Sequence, residues 1–151
     1  MKDKLFILFQ YILPKQAITR VLGWLASCNG GWVTHRVIQA FVHKYQVNLA
    51  EAKRDNIRDY ASFNDFFTRA LKAGSRPLAA ADLISPVDGR ISQLGPINQQ
   101  FLIQAKGKEY TLEQLLAEDT GQYFQGGSFA TLYLSPRDYH RIHMPCSGTL
   151  T

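Results

Sequence analysis

Cysteine is scarce in this sequence: Cys28 and Cys146 are the only two among 151 residues. Thiols so far apart form neither a disulfide framework nor a cysteine-based metal motif, and they suit a reducing compartment. Long apolar runs are missing too. The best, Leu5–Leu13 (LFILFQYIL), stops at Pro14-Lys15, whereas a bilayer-spanning helix needs about 20 apolar residues. The small-residue stretch LASCNGG follows only after Lys15 and Arg20, an arrangement that speaks against a cleaved signal peptide. Acidic residues are almost absent from the first 45 positions, where Asp3 stands against Lys2, Lys4, Lys15, Arg20, Arg36 and Lys44. The remainder balances to zero, so the whole net charge of +5 is N-terminal. No internal repeat or low-complexity tract occurs.

What is present describes a folded chain. The composition is 46% apolar, which argues against disorder, and the length is that of about one domain. The basic third is also strongly apolar, a combination that points to a membrane surface rather than to nucleic acid. The expectation is therefore an anionic membrane surface as partner and no nucleic acid.

Helical spacing dominates the first half. Residues 4–13 read as a short helix that is apolar nearly all round. In Lys15–Ser27, Ala17, Ile18, Val21, Leu22 and Leu25 recur at helical spacing between polar positions. Asn29-Gly30-Gly31 is a break, and Trp32–Gln46 is a third helix, in which Val33, Val37, Phe41 and Tyr45 recur every four residues. There Val33, Val37 and Phe41 are expected to be core positions. NLAEAKR and DYASFNDFFTRAL add one or two helices, with Ser62 or Asn64 as N-cap and Asp65 in the first turn.

After about residue 80 the pattern changes to short alternating runs, RISQLG, FLIQAKG and SFATLYLS, which predict strands. Thr111–Glu118 is a single short helix opened by a loose capping signature. The fold class expected is α+β: N-terminal amphipathic helices followed by a mostly antiparallel β core. Residues 1–48 form a membrane-associating helical region and 49–151 the start of a catalytic domain. The closing PCSGTLT reads as a strand just beginning, so the β core is expected to be incomplete in this chain.

Chemistry concentrates in LSPRDYHRIHMPCSG (Leu134–Gly148), which holds two of the four histidines. A pair three apart shares a helix face and could bind a metal, but on a strand the two point to opposite faces. Hydrogen-bonded structural histidines and acid–base histidines remain the other readings. A catalytic histidine is oriented by a carboxylate. Asp138 is close in sequence, but Arg137 and a helix N-terminus compete for it. Asp88, in SPVDGRISQLG (Ser85–Gly95), is the other candidate, although Pro-Val-Asp-Gly also fits a plain turn before a strand.

These segments together resemble the bacterial-type phosphatidylserine decarboxylases. The resemblance runs in order through YILPKQAITRVLGWLAS (Tyr11–Ser27), SFNDFFTRAL (Ser62–Leu71), RPL (Arg76–Leu78), SPVDGRISQLG, IQAKGKEYTLEQLL (Ile103–Leu116) and YLSPRDYHRIHMPCSG (Tyr133–Gly148). It implies an enzyme that converts phosphatidylserine to phosphatidylethanolamine and CO2, made as a proenzyme. In that family a serine in a Leu-Gly-Ser-Thr type motif cuts the chain and becomes a pyruvoyl group, the pyruvate-type cofactor, at the head of an α subunit. The resemblance places Asp88 and His143 in a Ser-His-Asp type relay for self-cleavage. His140 is similar to the family histidine linked to decarboxylation. No metal is implied.

An oriented histidine makes a serine hydroxyl nucleophilic. The pyruvoyl carbonyl is an electron sink, and an imidazolium can protonate the carbanion left by CO2.

Leu-Gly-Ser-Thr does not occur in these 151 residues. The chain is thus expected to be a β-chain segment, inactive alone, that needs the α subunit as partner. Leu5, Phe6, Leu8, Phe9, Lys15, Arg20 and Trp24 are the expected membrane contacts, on the cytoplasmic side of the cell membrane as a peripheral protein. Two other readings are a non-catalytic membrane-surface-binding module on the same fold and a metal-dependent hydrolase using His140 and His143.

Overall fold

The computed structural model describes residues 14–97, 101–105, 108–116, 121–124 and 126–149. Contacts divide the chain into two compact units, Met1–Leu78 and Ala79–Thr151.

The first unit is helical. Helix α1 spans Lys15–Ser27, with Pro14 before it and Cys28 extended after it. None of its residues is buried, and Val21, Leu22, Trp24 and Leu25 are all more than half exposed. The helix expected over residues 4–13, including Leu5, Phe6, Leu8 and Phe9, lies outside the described residues. Helix α2 spans Trp32–Tyr45. Its entry is held by Gly30, whose N–H donates to Thr34 Oγ1 at 3.0 Å. Its exit passes through Gln46 in the left-handed region, φ 55°.

Against expectation, Val33 and Val37 are half exposed. A series stepping by four drifts around a helix that turns every 3.6 residues. The core face is centred on Ile38, with Phe41, Val42 and Tyr45 beside it. Phe41 meets the core as expected.

Asn48–Arg54 is not a helix. Asn48 Oδ1 accepts from Ala50 N–H and Asn48 Nδ2 donates to Glu51 Oε1, forming a turn, and Ala52 bridges to Leu71. A 3-10 turn, Ile57–Asp59, then precedes α3, Phe63–Phe67. Ser62 is the cap: its Oγ accepts from Asp65 N–H at 3.1 Å.

The core of this unit joins Ile38, Val47, Tyr60 and Phe66, ringed by Phe41, Tyr45, Leu49, Ile57 and Phe63. Tyr60 meets Phe66 edge to face, 5.5 Å between centroids, and Phe41 meets Phe63 the same way at 5.1 Å, the arrangement aromatic quadrupoles favour. Arg54 pairs with both carboxylate oxygens of Asp65, stacks over the Tyr60 ring at 4.4 Å and holds the Asp59 carbonyl. The hydrogen bond to Asp65 raises the Arg54 pKa despite partial desolvation, and burial raises that of Tyr60.

Among its described residues the second unit holds two antiparallel two-stranded sheets. β1 (Arg90–Pro96) pairs with β4 (Ser128–Tyr133). The register runs from Arg90 opposite Tyr133 to Pro96 opposite Ser128, with a bulge between Ile91 and Gln93. β2 (Phe101–Ala105) pairs with β3 (Lys108–Thr111). Thr111 and Gln114 cap α4 (Leu112–Leu116) reciprocally: Gln114 N–H donates to Thr111 Oγ1 and Thr111 N–H to Gln114 Oε1, each at 3.1 Å. Helices and small antiparallel sheets make the chain α+β, as expected.

Candidate active site

The site begins with the β1–β4 ladder, because that ladder carries the two chemistry-bearing loops. Gly89 stands just before β1, and a Cβ there would lie 2.7 Å from the Tyr133 carbonyl oxygen. Only glycine lets the backbones approach this closely. Beyond Gly89 the two segments meet again: His143 N–H donates to the Pro86 carbonyl at 2.8 Å, and Ile84 N–H to the Pro145 carbonyl at 2.9 Å. Asp88, half-buried, sits in the short arc between these junctions. Ser85 Oγ, donating to the Val87 carbonyl at 2.7 Å, stiffens that arc.

The opposite arc, Leu134–Ile142, is longer and irregular. It opens with a closed turn in which Asp138 N–H donates to the Ser135 carbonyl at 2.9 Å and Ser135 N–H donates to Asp138 Oδ2 at 2.6 Å. Asp138 is thus engaged in its own turn, and its approach to Arg137 is a long 3.9 Å. His140 Nε2 lies 3.1 Å from the same Ser135 carbonyl. A carbonyl only accepts, so Nε2 carries a proton.

Tyr139, 9% exposed, anchors the arc. Its hydroxyl lies 2.9 Å from His143 Nε2, with the rings stacked 5.5 Å apart.

The structure therefore brings the Asp88 arc to His143 through the backbone and keeps His140 in the same loop. Lys15, Arg20 and Trp24 belong to the first unit, all exposed on α1. Tyr139 escaped the sequence reading; its contact depends on an irregular backbone that no periodicity announces. Among the described residues no three His, Cys, Asp or Glu side chains form a group able to hold a metal. The hydrolase reading of His140 and His143 lacks a ligand set there, and the two rings turn to different partners.

The family described as phosphatidylserine decarboxylase matches residues 63–151, which include both arcs. The chain belongs to the phosphatidylserine decarboxylase family. A second family, described as PSD, matches residues 5–46. Phosphatidylserine decarboxylase proenzymes of Polaromonas sp. and Albidiferax ferrireducens are 58% and 57% identical over 99% of this chain. That of Dechloromonas aromatica is 54% identical over all of it. The chain spans about half the length of these decarboxylase relatives, 54% in each case.

Proposed function

We propose that this chain supplies the β-subunit portion of a phosphatidylserine decarboxylase, which releases CO2 from phosphatidylserine to leave phosphatidylethanolamine. The observation that carries the reading is the His143–Pro86 junction, which holds the Asp88 arc beside the histidine loop. Residues 49–151 contribute to the catalytic domain, and an α subunit bearing the pyruvoyl group is the partner.

In the self-cleavage relay His143 is the base. With the Tyr139 hydroxyl donating, Nε2 of neutral His143 accepts and its proton rests on Nδ1. A carboxylate at Asp88 would hold that proton and orient the ring, leaving Nε2 to take the proton of an incoming hydroxyl that replaces Tyr139.

A pyruvoyl group has two adjacent carbonyls and calls for hydrogen-bond donors and a proton source. The Tyr139 hydroxyl and the Nε2–H of His140 are the donors in this loop, and these two residues would hold the group. When present, the group withdraws the electron pair left by departing CO2. His140, protonated at Nε2, is assigned the return of a proton to carbon.

Residues 1–48 make the membrane contact. The apolar face of α1 with Lys15, Arg20 and Trp24 lies against anionic lipid, each basic residue contributing about 1 kcal/mol, and Leu5, Phe6, Leu8 and Phe9 extend the contact. No helix among the described residues is long and apolar enough to cross a membrane. A peripheral place on the cytoplasmic face of the cell membrane follows from this reading.

The test uses this chain continued to the full length of its relatives. His143→Ala should slow self-cleavage at least about a hundredfold, the low end for loss of a general base, and the uncut proenzyme should persist on a denaturing gel. His140→Ala should cleave but lose CO2 release from phosphatidylserine. Normal cleavage in His143→Ala would defeat the relay. Equal loss of both activities in His140→Ala would make that residue structural.

A further inference from the structure

We propose that a groove in the first unit, between the outer face of α2 and the Asp55–Arg58 turn, is a binding site for a phosphate group. The groove encloses about 600 Å³ and is lined by Trp32, His35, Arg36, Gln39, Asp55 and Arg58, among others. A volume of this order accommodates a small polar ligand or a lipid headgroup.

Helical spacing builds one wall: Trp32, His35, Arg36 and Gln39 form a single stripe, turned away from Thr34 and Ile38, which face the core. The stripe faces Arg58 across the groove.

The charges in the groove do not cancel. Asp55 is the one carboxylate among the lining residues, and Lys72 Nζ already lies 3.3 Å from it. Arg36 and Arg58 form no salt bridge among the described residues. With Asp55 held by Lys72, Arg36 and Arg58 leave the groove with an excess of positive charge that an anion between them would offset. Guanidinium forks match phosphate oxygens in pairs, while Gln39 and His35 add further donors.

The rim is apolar. Trp32 is 75% exposed, and Val33 and Val37 lie on the adjacent face. A tryptophan beside a phosphate site suits a membrane boundary. The site uses none of Asp88, His140 or His143; its membrane outcome rests on the membrane contact proposed for residues 1–48.

The experiment has two arms on the full chain. In the first, inorganic phosphate is titrated at constant ionic strength while the arginine Nε–H resonances are followed by NMR. In the second, the chain is sedimented with vesicles of phosphatidylcholine, with and without phosphatidylglycerol. Wild type is compared with Arg36→Gln/Arg58→Gln and with the charge-conserving Arg36→Lys/Arg58→Lys, and circular dichroism confirms the fold.

The Arg36 and Arg58 resonances should shift saturably. The glutamine pair should bind phosphatidylglycerol vesicles about thirtyfold more weakly, at about fivefold per charge, and the lysine pair should also weaken. Saturable phosphate shifts in wild type together with weakened vesicle binding by the lysine pair assign a membrane phosphodiester, and so does weakened vesicle binding by the lysine pair without phosphate shifts in wild type. Saturable phosphate binding with unchanged vesicle binding assigns a soluble phosphate. Unresponsive arginine resonances, together with a lysine pair that binds vesicles like wild type, would overturn the proposal.

Discussion

Replacing Gly89 with alanine tests the geometry that joins the two arcs. The new Cβ would stand 2.7 Å from the Tyr133 carbonyl oxygen and 3.2 Å from its carbon, against 3.4 Å for ordinary contact. Both are backbone atoms, so neither can rotate aside; relief of about 0.7 Å must come from parting the chains where Arg90 pairs with Tyr133. Overpacking of this kind costs about 1–3 kcal/mol. With a urea slope of roughly 2 kcal/mol/M, the unfolding midpoint should fall by about 0.5–1.5 M. The control is Gly95→Ala on the same strand, whose Cβ would meet only the far edge of the Phe129 ring at 3.4 Å. That ring can yield, so the midpoint should hardly move. In the full-length protein Gly89→Ala should also slow self-cleavage, because Asp88 adjoins the displaced residue. A Gly89→Ala protein that unfolds with wild type, or a Gly95→Ala protein that suffers as much, would refute the close-approach reasoning.

Two further predictions concern the helical unit. Phe66 is fully buried against Tyr60, Phe63 and Phe41, so Phe66→Ala should cost about 3–5 kcal/mol, read as a lowered melting temperature; a loss under 1 kcal/mol would show that the cluster does not carry this unit. Tyr60→Phe removes the hydroxyl donation to the Arg54 carbonyl at 2.5 Å, worth about 0.5–1.5 kcal/mol. Burial raises the Tyr60 pKa, so the folded state keeps a proton that the unfolded chain releases near pH 10. That contribution is complete below about pH 10 and is lost as pH rises through the folded value. The stability gap between wild type and Tyr60→Phe should narrow there, and a gap constant from about pH 8 to 11 would count against it.

Local rules were readable where one rule dominated. Lys15–Ser27 has apolar residues at helical spacing between a proline and an Asn-Gly break, and the helix has those bounds. Ser62 caps because its short hydroxyl can reach back to Asp65 N–H, whereas Asn64 already lies inside the helix. RISQLG and SFATLYLS are strands, but their mutual register depends on the Gly89 approach and the bulge after Ile91, which composition does not encode. Asn48–Arg54 looked helical because alanine and glutamate favour helices; the Asn48 side chain and the Ala52–Leu71 bridge override that preference. Strand β3 was not anticipated, since Lys108 and Glu109 have little strand character, and its pairing with β2 decides. At the site, the histidines and Asp88 stood out by chemistry. Tyr139 did not, because a buried tyrosine is ordinary until its hydroxyl is found on an imidazole.

The β1–β4 ladder also has a kinetic side. It closes residues about forty apart in sequence, and the Pro86–His143 junction closes a longer loop still. Long-range closures carry their entropy cost before they return any contact energy, and chains rich in them fold slowly. The helical unit, built from neighbours in sequence, would order first. The two arcs would come together only after most of the chain between them had collapsed, so an early folding intermediate would display helices without a functioning histidine loop.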